Sequence, residues 1–188
     1  MIGRGRTLVL GGGGVTGVAW EIGLLLGLAE RGADLGDADL VIGTSAGSVV
    51  GAQLLTGVPL EKLFEAQLAP ASSEVAAKMG AGFLASWIVA ALWPGEPAKG
   101  RAWLGRQALK KKTLPEEERR RVIAHRIKTS EWPETPLVIT AVEAETGAAR
   151  TFDRNSGVDL IDAVAASCAV PLVWPPHTVN GVRYIDGG

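Results

Sequence analysis

Leu40–Leu55, LVIGTSAGSVVGAQLL, decides the fold. Leu40-Val41-Ile42 is a short apolar run of strand type, Gly43-Thr44-Ser45-Ala46-Gly47 is a turn, and SVVGAQLL continues at helical spacing. The same order stands upstream. Arg6-Thr7-Leu8-Val9-Leu10 reads as a buried strand, Gly11–Gly14 as its turn, and Val18, Ile22, Leu25, Leu26 and Ala29 recur with helical period. Gly32 closes that helix, which is expected from about Gly17 to Arg31. Strand, glycine turn and helix, twice over, predict an α/β fold with a mainly parallel central sheet between helical layers.

Outward from this core, Pro59–Leu68 reads as a helix begun by a proline suited to its first turn. Pro115 with Glu116–Glu118 opens another, whose later residues are basic, an order that complements the helix dipole and marks a solvated face. Pro136–Ala144 is a strand turning at ETGAA into ARTFD, a hairpin. Asp159–Ala169 is a helix that stops before Pro171. Thr178–Ile185 is a second hairpin about Asn180-Gly181, ending in Asp186-Gly187-Gly188. The region from about Pro70 to Lys112 is the least regular, and reads as a lid or insert within one domain spanning residues 1–188.

The 188 residues carry a net charge of −1, without the basic surplus that nucleic-acid binding demands. A single cysteine, Cys168, excludes an internal disulfide and a Cys-based zinc site; its small apolar neighbours suggest a buried, inert thiol. The start, MIGRGRTLVLGGGG, lacks the apolar run of a signal peptide, so a cytoplasmic location is expected. Met79–Trp93 is strongly apolar, but its 15 residues fall short of the roughly 18–20 that span a bilayer. Two readings stand for it: a helix packed over the core, or an interfacial lid with Lys110–Lys112 facing anionic headgroups as a peripheral membrane contact.

Gly43–Gly47 is a G-x-S-x-G pentapeptide between a strand and a helix, the setting in which a serine is exposed on a sharp turn as a nucleophile. Gly12, Gly14 and Gly17 also fit the dinucleotide fingerprint, which supports a nucleotide-binding module as the alternative. That fingerprint wants an acidic residue at the end of the second strand; Asp37 and Asp39 precede it. The other reading of Gly12, Gly13 and Gly14 is an oxyanion hole of bare N–H groups across from Ser45. For the base there are two histidines, His125 in the basic helix and His177 near the chain's end, and Asp186. A Ser-His-Asp triad through His177 stays open beside Asp186, whose following glycines suggest an open turn; as a base it would need burial to raise its pKa.

Gly12-Gly13-Gly14-Val15-Thr16-Gly17, the Gly43–Gly47 elbow, Ala166–Pro171 and Asp186-Gly187-Gly188 together resemble the patatin-like phospholipase family over nearly the whole chain. The resemblance implies a Ser–Asp dyad of Ser45 as nucleophile and Asp186 as base, with amides around Gly12–Gly14 as oxyanion hole and Gly17, Gly43, Gly47 and Gly187 as motif glycines. It implies hydrolysis of acyl esters of lipids through an acyl-enzyme, without metal or other cofactor. Thr16 stands where many members carry Lys or Arg, so general carboxylesterase activity belongs to the same reading. Because such domains normally continue past their D-G-[GA], a C-terminal portion removed by truncation or cleavage, and still a partner fragment in the latter case, is a further expectation. A non-catalytic interaction protein on the same fold is the remaining alternative.

Overall fold

A computed structural model describes residues 5–69 and 82–188. Thirteen elements follow along these residues: β1 (Thr7–Leu10), α1 (Gly14–Ala29), β2 (Leu40–Gly43), α2 (Ala46–Leu55), α3 (Leu60–Leu68), α4 (Gly82–Ala91), α5 (Pro97–Lys110), α6 (Glu116–Ile127), β3 (Leu137–Glu143), β4 (Ala149–Phe152), α7 (Leu160–Ser167), β5 (His177–Val179) and β6 (Val182–Asp186). The expected elements all form. The middle region is more regular than its sequence suggests: α5 starts with Pro97 in its first turn and runs for 14 residues, its few apolar side chains spaced among Lys and Arg. The 70–81 part of that region, including the first three residues of the apolar stretch, lies outside the described residues.

The sheet follows the hydrogen-bonded path β1-β2-β3-β6-β5, with β4 also on β3. β1, β2 and β3 are parallel, whereas β4 and β6 run antiparallel to β3, and β5 antiparallel to β6. The register places the strands more closely. Ile139 is in register with both Gly43 of β2 and Phe152 of β4; Ala141 with both Arg150 of β4 and Asp186 of β6. A strand has two edges, so β4 occupies one, while β2 and β6 share the other end to end. The alternation of amide directions agrees: Pro136 O accepts from β2, Glu143 N–H donates toward β4, and Ala144 N–H donates to Arg183 O of β6. Since β2 runs with β3 and β6 against it, their C-terminal ends meet.

Helices lie on both faces. α2 and α7 cover one face, with α1, α3 and α6 packed around them, and the main core of Val41, Val50, Ile139, Leu160 and Val164 lies between. On the other face α5 packs on β3 and β6 through Ala108, Val142, Ala144 and Ile185. Alternate residues of β3 thus feed two cores, as the two-residue period of a strand requires. Asp159 caps α7 by accepting from the Asp162 N–H at 2.8 Å, worth about 1 kcal/mol. The β5–β6 hairpin turns at Asn180 and Gly181, both at positive φ (49° and 79°), as a type I′ turn needs.

α2 sits so near the end of β1 that a Cβ on Gly47 would overlap the Leu10 carbonyl. Gly47→Ala is therefore expected to lower unfolding free energy by about 1–3 kcal/mol in urea denaturation; an unchanged midpoint would contradict this packing.

Candidate active site

The site lies where β2 and β6 end against Thr140 in the middle of β3. Thr44 Oγ1 and Thr140 Oγ1 are hydrogen-bonded at 2.7 Å, and a side chain on Gly187 would collide with Thr140. Between these contacts lie Ser45, 6% exposed, and Asp186, 5% exposed.

Ser45 is at φ 52°, ψ −114°, a backbone conformation that costs an L-residue of the order of 1–3 kcal/mol and persists only when its surroundings hold it. Three side chains do so. Ser167 Oγ accepts the Ser45 N–H at 2.9 Å; Ser48 Oγ and Cys168 Sγ donate to the Ser45 carbonyl at 2.7 and 3.3 Å. Ser48 and Ser167 are fully buried, and burial pushes the Cys168 thiol up to about 11, an inert group as expected. Sequence reasoning missed Ser48, Ser167 and Thr140; the available signal was a hydroxyl at an apolar position in each of three elements.

The glycine turn after β1 is tied to this elbow. Gly47 N–H donates to Gly11 O at 2.8 Å and Thr44 N–H to Leu10 O at 3.1 Å. Gly12 comes next to the serine: a Cβ there would lie 3.7 Å from Ser45 Cβ. Among the described residues no protein acceptor takes the N–H of Gly12 or Gly13. Gly17 faces Ala46, which holds the start of α1 against the start of α2. Gly43 permits the strand-to-helix reversal, since a Cβ there would meet the Gly47 carbonyl at 2.6 Å.

Asp186 is not on the open turn its glycines suggested. Its N–H donates to Ala169 O at 3.0 Å, its Oδ1 accepts the Gly188 N–H at 2.9 Å, and Oδ2 is buried without completing a hydrogen bond. Burial pushes its carboxyl up to about 6; the Ser45 hydroxyl, the Gly188 N–H and more distant Arg119 act the other way. Arg119 itself lies over the Trp174 ring, 4.2 Å from its centroid.

The other candidates are placed elsewhere. His177 Nε2 is 2.9 Å from Asp162 Oδ1 and its Nδ1 is 3.4 Å from Glu116 Oε1, so both ring nitrogens face carboxylates other than Asp186. His125 is exposed on α6. Asp37 and Asp39, the acids a dinucleotide site would use, bind Arg6 ahead of β2, whose end is Gly43. Among the described residues no group of three or more His, Cys, Asp or Glu is placed to hold a metal ion.

A buried serine on a strand–turn–helix elbow, a carboxyl of raised pKa and a glycine loop whose Gly12 and Gly13 amides meet no protein acceptor among the described residues thus lie together on an α/β/α fold. The family model described as patatin-like phospholipase matches residues 8–188, and the chain belongs to that family. The fold is similar to that of VipD from Legionella pneumophila, at 15% identity and TM-score 0.59 over 98% of this chain and 46% of that one. The type III effector ExoU matches at 19% identity and TM-score 0.45, over 93% and 44%. The chain thus spans less than half the length of either. No curated protein matches the chain.

The Asp186 carboxyl has a sign that can be measured. Its rise from an ordinary 3.8 to about 6 means that the folded chain holds a proton the unfolded chain has released, so stability falls as pH rises between these values. The loss amounts to roughly 3 kcal/mol. Asp186→Asn is expected to lessen this slope in chemical denaturation measured at pH 4 to 7, leaving the part that the buried Glu21 carboxyl, raised to about 7, contributes; an undiminished slope in the variant would mean that Asp186 carries none of it.

Proposed function

We propose that this chain hydrolyses carboxylic esters of lipids through a Ser45–Asp186 dyad in a single catalytic domain. The observation that carries the reading is the meeting of the strained Ser45 elbow with a buried carboxylate whose Oδ2 completes no hydrogen bond. As Ser45 Oγ attacks the ester carbonyl carbon, its proton passes to Asp186, and the carbonyl π electrons move to oxygen. The oxyanion is taken by N–H groups of Gly12, Gly13 and Gly14, aided by the positive N-terminus of α2. Collapse restores the carbonyl, and the alcohol leaves with the proton from Asp186. Water then repeats the sequence on the acyl-enzyme, releasing the acid and free Ser45. A carboxyl titrating near 6 is a better base at neutral pH than an ordinary one, because it holds its proton more strongly and is still mostly ionised.

An amphiphilic substrate is supported by a groove of about 690 Å³ whose lining includes Val15 and Val49; Ser45 and Asp186 do not line it, and Val49 lies one turn along α2 from Ser45. Its floor includes Val18 and Leu63, and Lys62 and Arg121 line its rim, offering cations to an anionic group although Thr16 supplies none.

α4 supports peripheral contact with a lipid surface. It has no buried residue, and Leu84, Ile88, Val89 and Leu92, just past its end, are exposed, which favours the interfacial reading over a helix packed on the core. α4 leans on α5, where a Cβ on Gly100 would overlap the Ala90 carbonyl. Among the described residues no helix is long and apolar enough to cross a membrane.

Hydrolysis of p-nitrophenyl butyrate by wild type, Ser45→Ala and Asp186→Asn tests the dyad. Loss of about 10³-fold or more in both variants is expected, and activity in Ser45→Ala equal to wild type would end the hydrolase reading. Leu84→Asp with Leu92→Asp is expected to lower activity on phospholipid vesicles at least about tenfold while leaving the soluble ester within about twofold. Equal losses on both substrates would remove the membrane role of α4.

A further inference from the structure

The groove of about 690 Å³ has two unlike ends, and Gln53 fixes which is which. α6 packs alongside α2, and Gln53, near the end of α2, donates from Nε2 to Arg126 O at 3.0 Å. The Gln53 carbonyl accepts the Val58 N–H at 3.4 Å, which sets the first turn of α3, with Lys62, at the same place. Lys128 caps α6 just beyond Arg126. With a rise of roughly 1.5 Å per residue, Gln53 lies about 12 Å along the helix from Ser45. The end near Ser45 carries Val15, Val18 and Val49 from the starts of α1 and α2, whereas the far end gathers Lys62, Arg126 and Lys128.

Two of these cations stand where local physics does not ask for them. Lys62 is in the first turn of α3, where the helix dipole favours an acid such as its neighbour Glu61. Lys128 sits at φ 66°, a left-handed conformation that glycine or asparagine adopts at helix ends with less strain. Both are exposed, and among the described residues neither forms an ion pair, whereas Arg121 is paired with Glu117 at 3.4 Å. The one acid in the lining, Glu118, is at the opposite end of α6 from Lys128. A trough that is apolar at one end and cationic at the other complements a molecule with an apolar chain and an anionic head. Its volume falls in the range of about 300–1,000 Å³ that suits one small molecule.

We propose that this groove is a second ligand site, which holds a long-chain fatty-acid anion with its carboxylate at the Lys62–Lys128 end and its chain running toward Val15 and Val49. The carboxylate is thereby kept at the end away from Ser45, so the site is distinct from the place where an ester would react. Fatty acids are the products of the function proposed above, but binding here needs neither Ser45 nor hydrolysis.

The test follows fluorescence of cis-parinaric acid on binding, and its displacement by oleate kept below the concentration at which it forms micelles. Saturable binding of one molecule per chain is expected. Lys62→Glu with Lys128→Glu should weaken oleate at least about tenfold while leaving uncharged oleyl alcohol within about twofold. Ala66→Trp, at an exposed lining position of α3, should obstruct the groove and weaken both ligands. Ser45→Ala, and Lys110→Glu with Lys111→Glu at the end of α5 on the other face of the sheet, should bind as wild type does. Tm checks that each variant folds, and if Ala66→Trp does not, the Lys62–Lys128 pair decides. The proposal is overturned if wild type shows no saturable binding, if the Lys110–Lys111 pair loses as much affinity as the Lys62–Lys128 pair, or if Ser45→Ala loses it. Wild-type binding in Ala66→Trp would place the chain elsewhere, and a wild-type dimer that Ala66→Trp makes monomeric would give the groove to a second copy of this chain. Hydrolysis plays no part in the readout, so an inactive protein that binds oleate defeats the hydrolase reading alone.

Discussion

Two strand ends meeting along one edge of β3 is the constraint on which the rest of the structure depends. β2 arrives parallel and β6 antiparallel, and β3 supplies hydrogen bonds to both in succession. Thr140, between the two registers, takes the Thr44 hydroxyl on one side and leaves room only for glycine at 187 on the other. Residues 141 positions apart in sequence are thereby brought together without a flexible loop. The tight turn at Asn180-Gly181 fixes the register of β6, and with it the place of Asp186.

The hairpin is also held from the side. Glu116 accepts from the Thr178 N–H at 2.5 Å and from its hydroxyl at 3.0 Å, and Asp162 bonds His177 while pairing with Arg120 at 2.6 Å. α6, α7 and β5 thus share one half-buried polar network of Glu116, Arg120, Asp162 and His177. Such a network is weak evidence for net stability but strongly directional, because removing one partner leaves another charge unpaired. Its place behind the hairpin makes His177 a part of the support for the carboxylate-bearing strand, and explains why a histidine near the chain's end attracted a catalytic reading.

Much of the fold was legible because it is local. The LVIG and TLVL strands, the glycine turns after each, the Pro-initiated helices and the Asn-Gly hairpin are written in short windows, and they form as read. The strand–turn–helix setting of Ser45 was legible for the same reason. α5 was not, since it presents a narrow apolar face among basic residues and its partner surface on β3 is distant in sequence. Asp186 was named through resemblance, but its burial could not be read locally: Ala169 and Ser45, which surround it, come from other elements. Ser48, Ser167 and Thr140 escaped notice because a lone hydroxyl has no period. Its role exists only once the chain is folded around it.

The peptide of Ser45 is hydrogen-bonded at both ends by side chains that substrate need not touch. A conformation secured in this way does not wait for a ligand to create it. The elbow's geometry belongs to the resting molecule, and little free energy of binding would be consumed in assembling it. An armed elbow of this kind cannot be switched by rearranging itself without breaking buried bonds to α2 and α7. On the function proposed above, control therefore falls to access: what is allowed to reach the elbow, and when, rather than whether the serine is ready.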